Sequence, residues 1–214
     1  MKIYLLPILI YTATVFPFAN YVKSINSEVP KTGYDPKTYL CYYTAGNIVV
    51  DGKAADPSWE KAPWTDFFTD IEGELKAGPY FNTRAKMLWD DKKMYFYAEM
   101  EETDLWATLE DRDAVIYKDN DFEIFIDPDG DTHNYYEFEF NIFGTLWDLL
   151  LTRPYRDDGQ AVDSWDARDI EYSVNTKGTV NNPSDTDEGW SIEVAIPWTV
   201  LEECAAHNGP PHDK

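Results

Sequence analysis

The chain has 214 residues, enough for one domain with a real core, and its 16% aromatic content sets it apart from a disordered acidic tail. A formal net charge of −22 repels phosphate backbones and anionic lipid, which disfavours nucleic acid and membrane surfaces as partners and leaves a neutral ligand, a cation or plain solubility. Two distant cysteines, Cys41 and Cys204, make no disulfide framework although they are able to pair in an oxidising compartment, and three histidines cannot supply a His-rich zinc or haem site.

Taken in chain order, Lys2 is followed by an uncharged run from Ile3 to Phe18 and then Ala19-Asn20. The run is short for a membrane span and carries Pro7 and Pro17, so residues 1–19 read as a cleaved secretory signal, with an uncleaved anchor as the alternative. This implies a secreted protein, extracellular or periplasmic, with no stable membrane insertion after cleavage. Residues 20–37 read as a leader or linker, with Pro30, Gly33 and Pro36 and no periodicity. From residue 38 to 214 the pattern is that of strands. Tyr39–Thr44 and Asn47–Gly52 are strand candidates, the second closed by a turn signal. Asp56-Pro57 starts one short helix near residues 57–61, Asp serving as N-cap and Pro as the first helical residue. Ala85–Asp90 and Met94–Met100 flank Asp91-Lys92-Lys93 as a hairpin.

The clearest pair is Asp121–Asp127 against Tyr135–Ile142, both alternating with period two. Phe122, Ile124 and Ile126 share a core face with Tyr136, Phe138, Phe140 and Ile142; Asp121, Glu123, Glu137, Glu139 and Asn141 share the opposite, polar face. Further strands are predicted at Thr145–Leu151, Asp169–Asn175 and Trp190–Ile196, with polar loops at 154–166 and 181–189. Many short strands with Gly, Asp and Pro turns argue for an all-β fold, an antiparallel β-sandwich of jelly-roll-like type. The loop-like ending after Leu201 predicts a sandwich incomplete at its C-terminus.

The polar face offers sugar chemistry: planar carboxylates and amides for adjacent hydroxyls, and aromatic rings for the C–H face of a pyranose. Trp106, Tyr117, Trp147 and Trp165 are the ring candidates, each weighed against a place in the core or its rim. Arg112, between two aspartates, is a sugar ligand or an ion-pair partner. Like charges opposite one another on neighbouring strands are costly, so the acidic face calls for a cation, a ligand or water. Asp127, Asp129 and Asp131 alternate as hard oxygen ligands in a loop suited to calcium, with a plain hairpin turn as the alternative. No cofactor is required. The chain carries no Ser-centred elbow, Gly-rich phosphate loop or Cys/His constellation, so nothing points to catalysis.

Four motifs occur in order: Asp51-Gly-Lys-Ala-Ala-Asp-Pro-Ser-Trp59, Met87-Leu-Trp-Asp-Asp91 with Tyr95-Phe-Tyr97, Asp119-Asn-Asp-Phe-Glu-Ile-Phe-Ile-Asp127, and Gly189-Trp-Ser-Ile-Glu-Val-Ala-Ile-Pro-Trp198. Over residues 38–201 the set resembles the family 9 carbohydrate-binding modules. The resemblance implies a β-sandwich that grips the end of a sugar chain between two aromatic walls, with bound calcium known in the family and glycoside hydrolases as fused or associated partners. Glu123 stands at the place of a sugar-binding glutamate, and Tyr117 near one aromatic wall where sugar-binding members carry Trp. Glu139 stands where such members carry a basic residue, and the second wall falls beyond Lys214. The implied function is a non-catalytic module holding an oligo- or polysaccharide; the alternative is a structural or interaction sandwich without a sugar site.

Overall fold

The computed structural model describes residues 37–206 and 209–210, and the sandwich is built from Tyr39 onward. The expected signal and most of the leader lie outside the described residues. No helix among the described residues is long and apolar enough to cross a membrane.

Among the described residues, nine strands are arranged in two sheets. In chain order they are β1 (Tyr42–Tyr43), β2 (Thr83–Trp89), β3 (Lys93–Glu101), β4 (Asp121–Ile126), β5 (Tyr135–Asn141), β6 (Leu146–Leu151), β7 (Ala161–Val162), β8 (Glu171–Lys177) and β9 (Gly189–Pro197). The five-stranded sheet runs β1-β2-β3-β9-β8 and the four-stranded sheet β4-β5-β6-β7. Every pairing is antiparallel except the short parallel contact of β1 with β2. The predicted helix is a single 3₁₀ turn, Trp59–Lys61. Residues 47–52, expected as a strand, form none; they lie over the outer face of the five-stranded sheet instead.

Alternation places the core between the sheets. Phe122 and Ile124 of β4 and Tyr136, Phe138 and Phe140 of β5 meet Phe96, Ala98 and Met100 of β3 and Ile192, Val194 and Ile196 of β9. Strand β9 is buried along nearly its whole length because both of its faces are covered. Its outward side packs under Trp59, Ala62, Ile48 and Val50 in a second apolar cluster. The fastening of that layer is Glu193, only 1% exposed. Its Oε2 accepts the amides of Asp51, Gly52 and Lys53 at 2.8, 2.7 and 3.3 Å, and its Oε1 accepts Trp59 Nε1 at 2.7 Å. Burial pushes the carboxyl's proton affinity up while these donors pull it down, burial being the larger effect. Two of the four sequence motifs therefore meet at one carboxylate.

Cys41 and Cys204 are both free thiols; burial alone raises Cys41 to about 11.

Candidate functional site

The outer face of the four-stranded sheet carries the predicted acidic set. Register pairs Asp121 with Asn141, Glu123 with Glu139, and Phe125 with Glu137, and continues Glu139 onto Trp147. Two short turns fold back over this face. In the first, the 3₁₀ turn Ile116–Lys118, Ile116 is buried and the Tyr117 amide donates to Glu139 Oε2 at 2.9 Å. The Tyr117 ring, 60% exposed, stands 6.0 Å from the Trp147 ring. In the second, Tyr155–Asp157, the Tyr155 hydroxyl donates to Glu137 Oε2 at 2.7 Å. Phe125, half exposed, and Tyr135 close the far side with ring centroids 6.3 Å apart. Glu123 remains exposed, whereas Glu137 and Glu139 are sealed beneath the turns.

This crowding raises the proton affinity of the whole set. Burial, then repulsion from Glu137, Glu123 and Asp121, pushes Glu139 up to about 8. Burial and then Glu123 push Asp121 to about 7, and its Oδ2 is buried with no hydrogen-bond partner among the described residues. Burial also raises Glu123 and Glu137. Asp121, Glu123 and Glu139 each bring one carboxylate oxygen within 4.8 Å of the others. The face thus joins rings at its edges to acids whose proton affinity burial raises.

Comparison with known proteins assigns the chain. The family model "Carbohydrate family 9 binding domain-like" matches residues 50–209. The chain belongs to this family. Exoglucanase XynX of Acetivibrio thermocellus is 31% identical over 157 residues, which is 73% of this chain and 12% of that protein. Endo-1,4-beta-xylanase A of Thermoanaerobacterium saccharolyticum is 30% identical over 157 residues, 73% of this chain and 11% of the relative. The chain therefore aligns with a small part of each of these longer enzymes. Among solved structures, a family 9 carbohydrate-binding module from Caldicellulosiruptor kristjanssonii in complex with glucose shares the fold, with a TM-score of 0.50 and 18% identity, covering 81% of this chain and 72% of its own.

Within this family 9 fold the structure sorts the sequence candidates into separate places. Tyr117, Glu123 and Glu139 come together on the outer face, joined by Trp147. Asn141 lies at the edge of that face but is fully buried and fully used: its Nδ2 donates to Leu109 O and Asp119 Oδ2, and its Oδ1 accepts the amides of Phe143 and Thr145. Two of its four hydrogen-bonding positions serve the turn 143–145 and two serve Leu109 and Asp119, so the fold itself uses the side chain that the sequence offered as a sugar ligand. Trp165, weighed as a loop platform or a core residue, packs on the core, 4.8 Å from the Tyr136 ring and 6.0 Å from Phe138, with its Nε1 donating to Glu203. Arg112 is an ion-pair partner: Nη2 donates to the buried Asp148 at 2.6 Å and to Asp166 at 2.7 Å. Trp106, 45% exposed, sits on the extended run 105–109, which is tied by its amides to Asp187, Asn181 and Asp119.

Asp127, Asp129 and Asp131 do gather, with one carboxylate oxygen from each within 4.8 Å of the others. The hairpin's own amides already occupy much of this set: Asp127 accepts from Gly130 and Thr132, Asp129 from Asp131, and Asp131 from His133. The residues that sequence reasoning missed are Phe125 and Tyr155. Phe125 alternates outward between two acids, a signal already in the period-two pattern; Tyr155 arrives from a loop with no periodicity to mark it.

Proposed function

We propose that the domain binds a neutral saccharide on the outer face of the four-stranded sheet. The sugar ring stacks on Tyr117 and Trp147, and Glu123, the exposed carboxylate of the set, takes adjacent hydroxyls, with Glu139 and Asp121 in the layer beneath it. The observation that carries this reading is the joining of exposed rings to under-satisfied carboxylates on one open face. Membership of a carbohydrate-binding family supports it, as does the glucose bound by the Caldicellulosiruptor module. The relatives named above are an exoglucanase and a xylanase, so the role inferred is non-catalytic: the domain holds a plant-type polysaccharide while a fused or associated glycoside hydrolase cuts it, outside the cell. Calcium at Asp127, Asp129 and Asp131 is no part of this reading.

The test is titration with cello- and xylo-oligosaccharides, followed by tryptophan fluorescence and calorimetry. Binding is expected at micromolar to millimolar Kd, weakened at least about tenfold by Tyr117→Ala and by Glu123→Ala, since loss of a stacked ring or a bidentate partner costs on the order of 1–3 kcal/mol. Heat flow that stays flat across both series sinks the proposal. It would favour a sandwich without a sugar site, a reading favoured by one observation: Glu123 faces Glu139 across the strand pair instead of a basic partner. Release of sugar from these oligosaccharides by the domain itself would overturn the non-catalytic assignment.

A further inference from the structure

The outer face of the five-stranded sheet is covered by residues 48–64 over most of its area, but one end stays open. Two cross-strand rows reach that end. The inner row runs Arg84, Glu99, Ser191, Asn175, and the outer row brings Glu101, Gly189 and Lys177 side by side. Gly189 interrupts the outer row. Its φ is +137° and an added Cβ would sit 2.1 Å from Met100 O, so no side chain is allowed there. Glu101, Gly189 and Lys177 all line a cavity of about 270 Å³.

The walls are preorganised. The Arg84 guanidinium lies 3.8 Å over the Trp64 ring and donates from Nε and Nη2 to Glu99 Oε2. Two of its five N–H donors are thereby used among the described residues. Glu99 is held from its other oxygen by the Tyr97 hydroxyl. Asn82 donates its amide and its Nδ2 to Glu101 Oε2 at 3.2 and 2.9 Å. Glu188 stands beside Lys177, their backbones joined by a 2.9 Å bond. At the mouth, Phe67 leaves 51% of its surface exposed next to Arg84, 5.9 Å away. Phe67 is placed there by alternation: the amides of Thr65 and Phe68 bond to the β2 edge and Phe68 turns inward onto Phe122, so Phe67 turns outward.

We propose that this cavity is a second saccharide subsite, taking a single neutral pyranose unit. The chemistry follows from the lining. Planar guanidinium, amide and carboxylate groups of both signs suit a polyol, whose hydroxyls donate and accept, and no sign of charge dominates as a simple ion would need. A half-exposed phenyl ring supplies the stacking surface for the sugar's C–H face. The cavity size suits one ring and not a chain interior. The site is separate from the Tyr117 face, on the other sheet, and stands on its own geometry.

The test is amide chemical-shift mapping of the full chain titrated with glucose, with xylose and glucuronate as comparators. Glucose is expected to shift the amides of Asn82, Glu101, Gly189 and Lys177 as one set, with half-saturation on the order of 1–10 mM. Phe67→Ala and Lys177→Met should each weaken that response at least fivefold, and both are surface changes that leave folding intact. Tyr117→Ala should leave it unchanged. The proposal is overturned if the set stays still at about 100 mM glucose and xylose, if its response survives Phe67→Ala, or if it vanishes with Tyr117→Ala. A stronger response to glucuronate than to glucose overturns the neutral-ligand assignment. Loss of response at Tyr117 and Trp147 alone tells against the first site and leaves this one standing.

Discussion

Replacing Glu193 by Ala should detach the layer that covers β9. Four donors converge on this carboxylate, and two of them, Gly52 N and Trp59 Nε1, are buried where water cannot replace the lost acceptor. Each orphaned buried donor costs about 1–3 kcal/mol, whereas the partly buried amides of Asp51 and Lys53 regain water at little cost. Removing a buried charge gives part of this back, as the raised proton affinity of Glu193 indicates. The net loss is about 3–4 kcal/mol, within the range for truncating one partner of a buried charged network. For a domain of this size that is roughly 8–12 °C in Tm. Chemical denaturation measures the total, and amide hydrogen exchange shows where it falls. Protection should collapse first in residues 48–64 and persist in β4 and β5. A loss below about 1 kcal/mol, or exchange that rises evenly through both sheets, would refute the view that Glu193 fastens this layer.

Three further outcomes follow from the same structure. Asp121 and Glu139 titrate near 7 and 8 in the folded domain, but near 3.9 and 4.3 when unfolded, so the native state holds more protons between about pH 4 and 8 and stability must fall as pH rises through that window; Tm should be higher at pH 5.5 than at pH 8.5, and Glu139→Gln should flatten the slope. Arg112→Ala leaves Asp148, which is 0% exposed, facing a lost partner, and should cost about 2–4 kcal/mol in denaturant unfolding, with Asp148→Asn in the same background restoring part of it. At Asp127, Asp129 and Asp131 the hairpin amides already serve the carboxylates, so millimolar calcium or a chelator should move Tm by less than about 1 °C; a rise of several degrees that Asp129→Asn removes would assign an ion to the loop.

The two-sheet fold was legible because period-two alternation at 121–142 dictates one apolar and one polar face, and the register Phe122–Phe140 and Glu123–Glu139 follows it. The reach of the loops was not legible. Residues 47–52 have a strand's composition, yet they lie as a cover because Glu193, far along the chain, captures their amides. Trp165 sits in a polar stretch, yet reaches Tyr136 and Phe138, because a local sequence pattern does not reveal which core a loop folds back on. Asn141 looked like a ligand from its neighbours on the strand, but its Oδ1 is taken by the turn that follows and its Nδ2 by Leu109 and Asp119.

Glu193 and Glu139 make the sharpest comparison in the molecule. Both are glutamates on central strands, both face outward from the sandwich, and both are almost wholly buried, at 1% and 2% exposure. Glu193 receives four donors and is complete within the fold. Glu139 receives the amide of Tyr117, and its other near neighbours are Glu137, Glu123 and Asp121. A buried acid among acids costs stability that a leucine or a glutamine there would not. The first glutamate is explained by what it holds in place. The second gains nothing comparable from the fold, and the rings of Tyr117 and Trp147 beside it would supply the apolar half of the proposed sugar site. The balance of cost and satisfaction therefore separates the structural face from the face on which a ligand's hydroxyls can complete the hydrogen bonding.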